Sequence, residues 1–334
     1  ESYKNKDWQN YLFLENSFKN KSKKEQIDIY FAKANVSHKN KNYQESRTNL
    51  KLANQLKLNI FPSEKELLIK KSKILLEESD KINILNEKKE TSNELNDIFI
   101  VGMPRSGSTL LESIISINPE VVDLGEIDIL EESFLEWKRL LIRNKINKFY
   151  EIYSEKANKY KQKARIKTNK CLTNYQYIGI ISKLIPTAKI IHCDRNPLDN
   201  ILSIYKAHFG KGIRYSSSLI DCAEIYLDQV NIIKEYKKRY ASNIYSINYD
   251  SLVSKPSQEI KLLISWLGWK WKDAYLSPHL NPRSVSTASS VQVRSPINAK
   301  SIGGWKNYQE LLKPVIELFN NTENQELRSF SSSV

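Results

Sequence analysis

The spacing of hydrophobic and polar residues divides the chain into two parts. Up to about residue 94, apolar residues recur at helical spacing, no run resembles a strand, and lysine- and asparagine-rich joints separate the segments. From residue 95 onward, short β-branched and aromatic runs such as Ile98 to Val101 alternate with amphipathic helical segments. This order predicts a helical segment and linker over residues 1–94 and an α/β domain over residues 95–334.

The second part predicts a parallel sheet flanked by helices, because strands that alternate with helices form such sheets. The clearest strands are Ile98 to Val101, Lys189 to Cys193 and Asn243 to Asn248, and shorter extended segments fit Val121-Val122 and Arg165 to Lys170. The intervening helices are predicted to begin at Thr109, Gly125-Glu126, Tyr175, Leu198 and Leu219, and the helix that begins at Leu198 is predicted to end at Phe209. Ligands of such folds gather at the carboxyl ends of the strands.

Part of the helical segment resembles a single tetratricopeptide repeat. The residues that match the packing positions of its two helices are Tyr30, Ala34, Tyr43, Ser46, Leu50 and Ala53. Since about three repeats are normally needed for a stable stack, the alternatives are a truncated array, a helical pair docked on the main domain and an unrelated hairpin. Helical repeats would offer a surface to a protein partner.

The charge of the chain indicates which ligands it suits, and its cysteines indicate whether disulfides or a zinc site are expected. The chain has 52 Lys+Arg against 38 Asp+Glu, a net charge of +14, which suits acidic ligands and on charge alone also nucleic acid. Much of the excess is lysine mixed with asparagine in polar helices, which is typical of a solvated face, so we expect no nucleic-acid partner. The three cysteines form no C-x-x-C pair, so neither structural disulfides nor a zinc site is expected.

No apolar run approaches the roughly 18 residues of a membrane helix, and the N-terminal sequence E-S-Y-K-N-K-D-W is unlike a signal peptide. We therefore expect a soluble cytoplasmic protein without membrane insertion. Because the chain begins at Glu1 rather than methionine, an upstream segment can be missing.

The segment after the first clear strand predicts an anion site. Gly102-x-x-x-x-Gly107-Ser108-Thr109 has the spacing of a phosphate-binding Walker loop, with Ser108 in place of the lysine. A strand, a tight loop and a helix N-terminus direct backbone N–H groups and the helix dipole at one place, which suits an anion. The loop carries its positive charge on Arg105, so ordinary nucleoside triphosphate chemistry is not expected.

Two further residues are predicted to lie with this loop in one crevice at the carboxyl ends of the strands. Arg195 follows the strand Lys189 to Cys193, and Tyr249 follows the strand Asn243 to Asn248. Two separated anion sites suggest a nucleotide with phosphates at both ends.

These residues resemble the sulfotransferase family that uses 3′-phosphoadenylyl sulfate (PAPS). In that family a P-R-S-G-S/T-T loop binds the 5′-phosphosulfate, and an arginine and a serine eight residues apart bind the 3′-phosphate. The resemblance covers roughly Ile98 to the last helix. It implies that PAPS is bound by Arg105, Ser106, Gly107, Ser108, Thr109, Arg195, Ser203 and Tyr249.

The closest resemblance is to the tyrosylprotein sulfotransferases and to bacterial proteins that join tetratricopeptide repeats to the same domain. It implies that Glu126 is the catalytic base, Lys170 the catalytic lysine and Ser289 a serine that contacts both the transition state and the nucleotide. Arg105 is expected to share in catalysis. A late nucleotide-binding segment is implied at Gln292, Val293, Arg294 and Lys306.

Two positions depart from the family pattern. Ala207 stands where some members have a second arginine, and Gly304 where they have a lysine before Trp305. Lys300 or Lys306 could compensate for the second change.

The expected reaction moves a sulfuryl group from PAPS to an acceptor hydroxyl and leaves 3′-phosphoadenosine 5′-phosphate (PAP), with no metal required. The acceptor is a peptidyl tyrosine, a saccharide or a small hydroxylated molecule. The alternative function is a weak or inactive nucleotide-binding domain attached to a protein-binding scaffold. Whether Arg105, Glu126, Lys170 and Arg195 surround one pocket distinguishes the enzyme from this scaffold. A P-loop kinase would need a lysine in the loop, at the position where this chain has Ser108. Glu126 could also be an ordinary first-turn glutamate, favoured by a helix dipole.

Overall fold

The structure is a computed structural model that describes residues 7–14, 18–82, 97–142, 148–160, 165–210, 212–282, 292–322, 324–325 and 327–328. The chain divides into two compact units. The first comprises Glu1–Leu68, Asn196–Tyr226 and Lys300–Val334, and the second comprises Ile69–Arg195 and Leu227–Ala299. The predicted boundary between residues 94 and 95 lies outside the described residues and stays a prediction.

The helices and strands of the described residues follow the order that the sequence pattern predicts. The strands are β1 (Asp97–Gly102), β2 (Val121–Gly125), β3 (Ile166–Asn169), β4 (Lys189–Asp194) and β5 (Ile244–Asn248). The α-helices are α1 (Asp7–Phe13), α2 (Lys23–Lys39), α3 (Tyr43–Ile60), α4 (Lys65–Lys81), α5 (Ser108–Ile115), α6 (Ile129–Ile142), α7 (Phe149–Tyr160), α8 (Ile178–Leu184), α9 (Pro197–Lys206), α10 (Leu219–Tyr240), α11 (Tyr249–Ser254), α12 (Pro256–Trp266) and α13 (Gln309–Asn320).

The second unit is built on a five-stranded sheet with the order β2-β3-β1-β4-β5. Every pair of neighbouring strands is parallel. The central strand β1 is buried along its whole length, as expected of a β-branched and aromatic run inside a parallel sheet. The predicted fold class is confirmed: a parallel sheet flanked by helices, preceded by a helical segment.

Helices cover both faces of this sheet. Successive strand residues point to opposite faces, so Phe99 and Val101 enter one hydrophobic cluster while Ile98 and Ile100 enter the other. Residues of α6, α7, α8 and the later part of α10 complete the first cluster, and residues of α5, α11 and α12 complete the second. Because all neighbouring strands are parallel, their carboxyl ends lie together at one edge of the sheet.

The first unit contains a helical hairpin formed by α2 and α3. Ser22 and Glu25 form a capping box that begins α2, and Asn42 accepts from the Glu45 N–H to begin α3. Four of the predicted packing residues are buried, namely Ala34, Ser46, Leu50 and Ala53, whereas Tyr30 and Tyr43 are half-buried. The predicted helical character is confirmed, and the assignment to the tetratricopeptide repeats stays a prediction.

Two predicted helix boundaries are wrong. The helix expected to open at Gly125-Glu126 begins only at Ile129, because Gly125 is the last residue of β2 with φ +77°. Glu126 therefore lies in the connection between strand and helix and is not a first-turn glutamate. Helix α9 ends at Lys206 rather than at Phe209, since the following residue has extended backbone angles.

Candidate active site

Each strand of the sheet is followed directly by a residue or loop that the sequence predicts for the site. Residues 103–109 follow β1, Glu126 follows β2, Lys170 follows β3, Arg195 follows β4 and Tyr249 follows β5. The carboxyl ends of parallel strands lie at the same edge of a sheet. Five separate stretches of sequence therefore contribute to one edge.

The loop after β1 is held in place by close backbone approaches. Gly102 has φ +148°, and a Cβ atom there would lie 2.5 Å from the carbonyl oxygen of Cys193 on β4. Gly107 has φ +99°, and a Cβ atom there would overlap the ring of Tyr249. Arg105 has φ +66°, a left-handed conformation that non-glycine residues adopt rarely and mostly where the surrounding structure enforces it.

The same loop presents groups that suit an anion. Gly107 is the N-cap of α5, and because it has no side chain it leaves the positive end of the helix without a side-chain cap. The Ser106 hydroxyl is buried, and among the described residues it has no hydrogen-bond partner. A buried hydroxyl normally has one, so an anionic oxygen at this place would satisfy it.

The side chain of Arg195 bonds to the backbone of the loop at Arg105, and its charge acts on the Arg105 side chain. The Arg195 Nη1 atom donates a hydrogen bond of 3.0 Å to the Arg105 carbonyl oxygen, and its guanidinium lies 4.8 Å from the centre of the Tyr249 ring. Burial lowers the pKa of Arg105, and the positive charge of Arg195 lowers it further. Two like charges in a buried place disfavour each other until an anion lies between them.

Lys170 and Glu126 form an ion pair at the ends of β3 and β2. The lysine side chain is 1% exposed and the glutamate side chain 50% exposed, so the carboxylate is open to solvent while the ammonium is not. The charge of Lys170 also acts on the thiol of Cys193, where it opposes the rise in pKa caused by burial. Lys170 is therefore close to β4 as well as to β2.

Asn169 fixes the backbone around Lys170, a role that the sequence analysis missed. Its Oδ1 atom accepts hydrogen bonds of 3.0 Å from the backbone N–H of Cys171 and from Asn174 Nδ2. The N–H of Lys170 itself donates to the Gly125 carbonyl at 2.9 Å, which ties the ends of β3 and β2 together. The signal in the sequence was an amide side chain at the end of a strand, directly before the lysine.

Two predicted donor contacts belong to the first unit. Ser203 lies half-buried on α9, and Lys306 is exposed on a short 3₁₀ helix, Gly304–Tyr308. Their assignments stay predictions.

The remaining predicted contacts lie late in the second unit. Gln292, Val293 and Arg294 form a single 3₁₀ turn in which Val293 is buried. Arg294 Nη1 donates to the carbonyl oxygen of Asn281 at 2.9 Å. Ser289 lies outside the described residues, and its assignment stays a prediction.

His192 is an interior residue of the sheet. It is buried on β4 with Nδ1 3.3 Å from Ser246 Oγ, and burial, helped by the charge of Lys237, lowers its pKa to about 3. The imidazole is therefore neutral in the folded chain, as expected of a core histidine.

Within the described residues, no three His, Cys, Asp or Glu side chains are grouped as ligands of a metal ion. None of the helices in the described ranges combines the length and apolar character needed to cross a bilayer.

Comparison with known proteins identifies relatives of this chain. A family model described as "Sulfotransferase family" matches residues 97–147 and 136–273, which together exceed half of the chain. These ranges include Arg105, Glu126, Lys170, Arg195 and Tyr249.

An uncharacterized protein of Aquifex aeolicus (strain VF5) is 28% identical over 71% of this chain and 34% of its own length. A protein-tyrosine sulfotransferase of Drosophila melanogaster is 22% identical over 64% of this chain and 48% of its own length. The chain thus spans about a third and about half of these relatives. Among solved structures, the sulfotransferase domain of the olefin synthase of Synechococcus PCC 7002 is similar in fold, with a TM-score of 0.51, 17% identity and coverage of 74% of this chain and 97% of that domain.

Proposed function

Because this chain belongs to the sulfotransferase family, we propose that it moves a sulfuryl group from PAPS to an acceptor hydroxyl and releases PAP. The observation that carries the donor assignment is the pair of arginines beside the loop. Arg195 bonds to the Arg105 carbonyl and its charge acts on the Arg105 guanidinium, and the same loop holds the buried Ser106 hydroxyl and leads into α5. Such a set favours a ligand with several anionic oxygens over a neutral one.

The order of residues along the sheet edge supports the proposed direction of transfer. From β2 to β5 the edge presents Glu126, Lys170, the loop with Arg105, Arg195 and Tyr249. Four strand spacings of about 4.8 Å give this edge a width of roughly 19 Å, enough for an extended nucleotide. The 5′-phosphosulfate would bind at the central loop, with Arg195 on the nucleotide side and Glu126 on the acceptor side.

Glu126 is the proposed general base. Its half-exposed carboxylate is open to an acceptor, and it takes the proton of the hydroxyl as the acceptor oxygen bonds to sulfur. The bond between sulfur and the bridging oxygen breaks in the same step, and its electron pair leaves with PAP. No electrons are gained or lost, and the proton remains on Glu126 until solvent removes it.

Lys170 stabilises the departing oxygen in this proposal. While Glu126 is ionised, the buried ammonium is paired with it. Once the carboxylate is protonated, the charge of Lys170 is no longer balanced there and acts on the negative charge that develops on the bridging oxygen. Arg105 balances charge on the sulfuryl oxygens, as preorganised cations do in phosphoryl transfer.

A peptidyl tyrosine is the proposed acceptor, supported by the similarity to the Drosophila protein-tyrosine sulfotransferase. Saccharides and small hydroxylated molecules are the other acceptor classes to be tested. A phenol is the more acidic hydroxyl, with a pKa of about 10, so a carboxylate removes its proton more readily than that of an alcohol.

The first experiment measures PAP binding by calorimetry and thermal melting, followed by acceptor profiling with labelled PAPS. At a hundredfold excess over its dissociation constant, PAP should stabilise the chain by about 2.7 kcal/mol. A melt that PAP leaves unmoved while other ligands shift it would contradict the donor assignment. PAP binding without transfer to any acceptor class would favour the inactive scaffold. The position of four predicted site residues at one edge of the sheet supports the enzyme instead: Arg105, Glu126, Lys170 and Arg195.

A further inference from the structure

Glu126 lies on the short connection between β2 and α6, which comprises residues 126–128. The strand pairing that leads into this connection is irregular, because the register between β2 and β3 shifts between Asp123 and Gly125. Such a shift disrupts the ladder locally and often redirects side chains beside active sites. Contacts beyond the ladder therefore help to decide where the Glu126 carboxylate lies.

Two consecutive residues of the second unit, Lys170 and Cys171, contact both ends of this connection. At the first end, the backbone N–H of Lys170 donates to the Gly125 carbonyl oxygen at 2.9 Å. At the other end, Cys171 Sγ donates to Asp128 Oδ1 at 3.2 Å. Between the two ends, the Glu126 carboxylate pairs with the Lys170 ammonium. The residues that follow β3 thus hold the connection before and after the glutamate.

The backbone of Cys171 is itself fixed by hydrogen bonds. Its N–H donates to Asn169 Oδ1 at 3.0 Å, and its carbonyl oxygen accepts from the Asn174 N–H at 2.9 Å. Cys171 is buried, whereas Asp128 is exposed. The thiol therefore extends from a fixed, buried backbone to a connection that faces solvent.

The thiol keeps the proton that its contact with Asp128 needs. A carboxylate can only accept, so the single proton of Cys171 Sγ is directed at Asp128. The Thr173 hydroxyl, 3.2 Å from the same sulfur, is then the donor to it. Burial raises the pKa of the Cys171 thiol to about 12, so at neutral pH the group is a hydrogen-bond donor and not a reactive thiolate.

We propose that Cys171 is a positioning residue for the general base. Its thiol holds Asp128, and with it the connection that carries Glu126, so that the Glu126 carboxylate stays beside Lys170. This inference rests on the proposed function and adds a residue to it. It also gives Asp128 the role of a hydrogen-bond acceptor rather than that of a base.

The test removes one sulfur atom. In Cys171→Ala, Asp128 loses the thiol, and we expect kcat to fall about fivefold, the effect of one net hydrogen bond, while PAP affinity and KM for PAPS stay parental. Cys171→Ser restores a donor and should regain most of the turnover. The matched control is Cys222→Ala, which removes another buried thiol, one that donates to the Tyr215 carbonyl at 3.4 Å in the other unit, and should leave kcat parental.

A double-mutant cycle shows whether Cys171 acts through Glu126. The Glu126→Gln variant has no base to position, so adding Cys171→Ala to it should cause no further loss of turnover. A full fivefold loss in that background would overturn the inference, because the thiol would then act independently of the base. A loss in Cys171→Ala that Cys171→Ser does not restore would also overturn it.

Asp128 gives a second test of the same contact, which serves equally if Cys171→Ala fails to fold. Asp128→Asn keeps an oxygen that accepts from the thiol and should retain near-parental turnover, whereas Asp128→Ala should lose about as much as Cys171→Ala. An Asp128→Asn variant as slow as Asp128→Ala would overturn the inference.

The parental chain separates this inference from the proposed function. Parental turnover in folded Cys171→Ala, beside a parental chain that binds PAP and transfers sulfate, would overturn the role of Cys171 alone. A parental chain that neither binds PAP nor transfers sulfate would overturn the proposed function and this inference with it.

Discussion

The ammonium of Lys170 is buried and pairs with the half-exposed carboxylate of Glu126, so one member of the pair is open to an acceptor and the other is not. Glu126→Gln keeps the shape of the side chain and removes the base. We expect turnover to fall about 10²–10⁴-fold, the usual contribution of a general base, while PAP affinity remains nearly parental. Steady-state transfer from PAPS and calorimetry with PAP measure the two quantities.

The control for this substitution is a second lysine–glutamate pair. Lys71 Nζ lies 2.6 Å from Glu131, and both side chains are about one-third exposed. Glu131→Gln should leave turnover within about twofold of the parental rate, since this partly exposed pair lies outside the proposed site. If Glu126→Gln transfers sulfate at a near-parental rate, the assignment of the base fails and Asp123 and Asp128 become the next carboxylates to test.

Arg195 is expected to select for the 3′-phosphate of the donor. A charge-assisted hydrogen bond contributes about 1.5–3 kcal/mol, so Arg195→Ala should weaken PAP binding by roughly ten- to a hundred-and-fifty-fold. Binding of adenosine 5′-phosphosulfate, which lacks that phosphate, should change much less. Equal losses for both ligands would show that Arg195 acts by holding the Arg105 carbonyl and not by contacting the nucleotide. Arg239→Ala, which breaks an ion pair with Asp80 instead, is the control for loss of positive charge.

Gly107 is expected to tolerate no side chain. Its φ of +99° and the overlap of a Cβ atom with the Tyr249 ring mean that Gly107→Ala must distort the loop or displace the tyrosine that lies against Arg195. We expect a lower melting temperature and at least tenfold weaker PAP binding. In Gly210→Ala the added Cβ atom meets nothing within 4 Å, so both quantities should stay parental. Parental PAP affinity in Gly107→Ala would show that the loop does not bind the nucleotide.

The parts of the site that could be predicted from the sequence are those specified by residues that are neighbours in the chain. The run Ile98 to Val101 is apolar enough to form only a buried strand, and the glycines, hydroxyls and arginine that follow it specify the loop. Arg195 and Tyr249 could be placed because each directly follows an apolar run, and parallel strands end at a common edge.

Contacts between distant residues could not be predicted. The Tyr308 hydroxyl lies 2.8 Å from His38 Nδ1, although His38 lies 270 positions earlier in the chain. No local pattern encodes such a pair, because the tertiary fold alone brings the two side chains together. The start of α6 was misplaced for a related reason: Gly125 and Glu126 resemble a helix start locally, but the pairing of β2 with β3 extends the strand to Gly125.

Sulfuryl transfer is expected to need no divalent metal. In P-loop nucleotide triphosphatases a lysine and a magnesium ion balance the phosphate charge, whereas this loop has Ser108 at the lysine position and supplies Arg105. A chelator such as EDTA should leave turnover within about twofold of the untreated rate, because in the proposed function guanidinium groups balance the charge of the donor. Complete inhibition by the chelator that magnesium reverses would favour the kinase-like alternative.

The imidazole of His192 is expected to make the stability of the chain depend on pH. Burial lowers its pKa from 6.5 to about 3, so the folded chain keeps it neutral where the unfolded chain takes up a proton. Its contribution to stability is therefore complete above about pH 6.5 and is lost as the pH falls towards 3. Asp97 acts in the opposite sense: burial raises its pKa to about 6, so its contribution is lost as the pH rises through that value.

Replacing His192 isolates its effect from that of Asp97. His192→Gln retains a side chain able to bond to Ser246 but removes the titrating group. Between pH 7.5 and pH 5.5 the parental chain should lose about 1.4 kcal/mol more unfolding free energy than the variant, because the unfolded histidine becomes mostly protonated over that interval. Urea unfolding of both proteins at the two pH values measures this difference, in which the contribution of Asp97 cancels. An identical pH dependence in the two proteins would show that His192 is already protonated, or accessible to protons, in the folded chain.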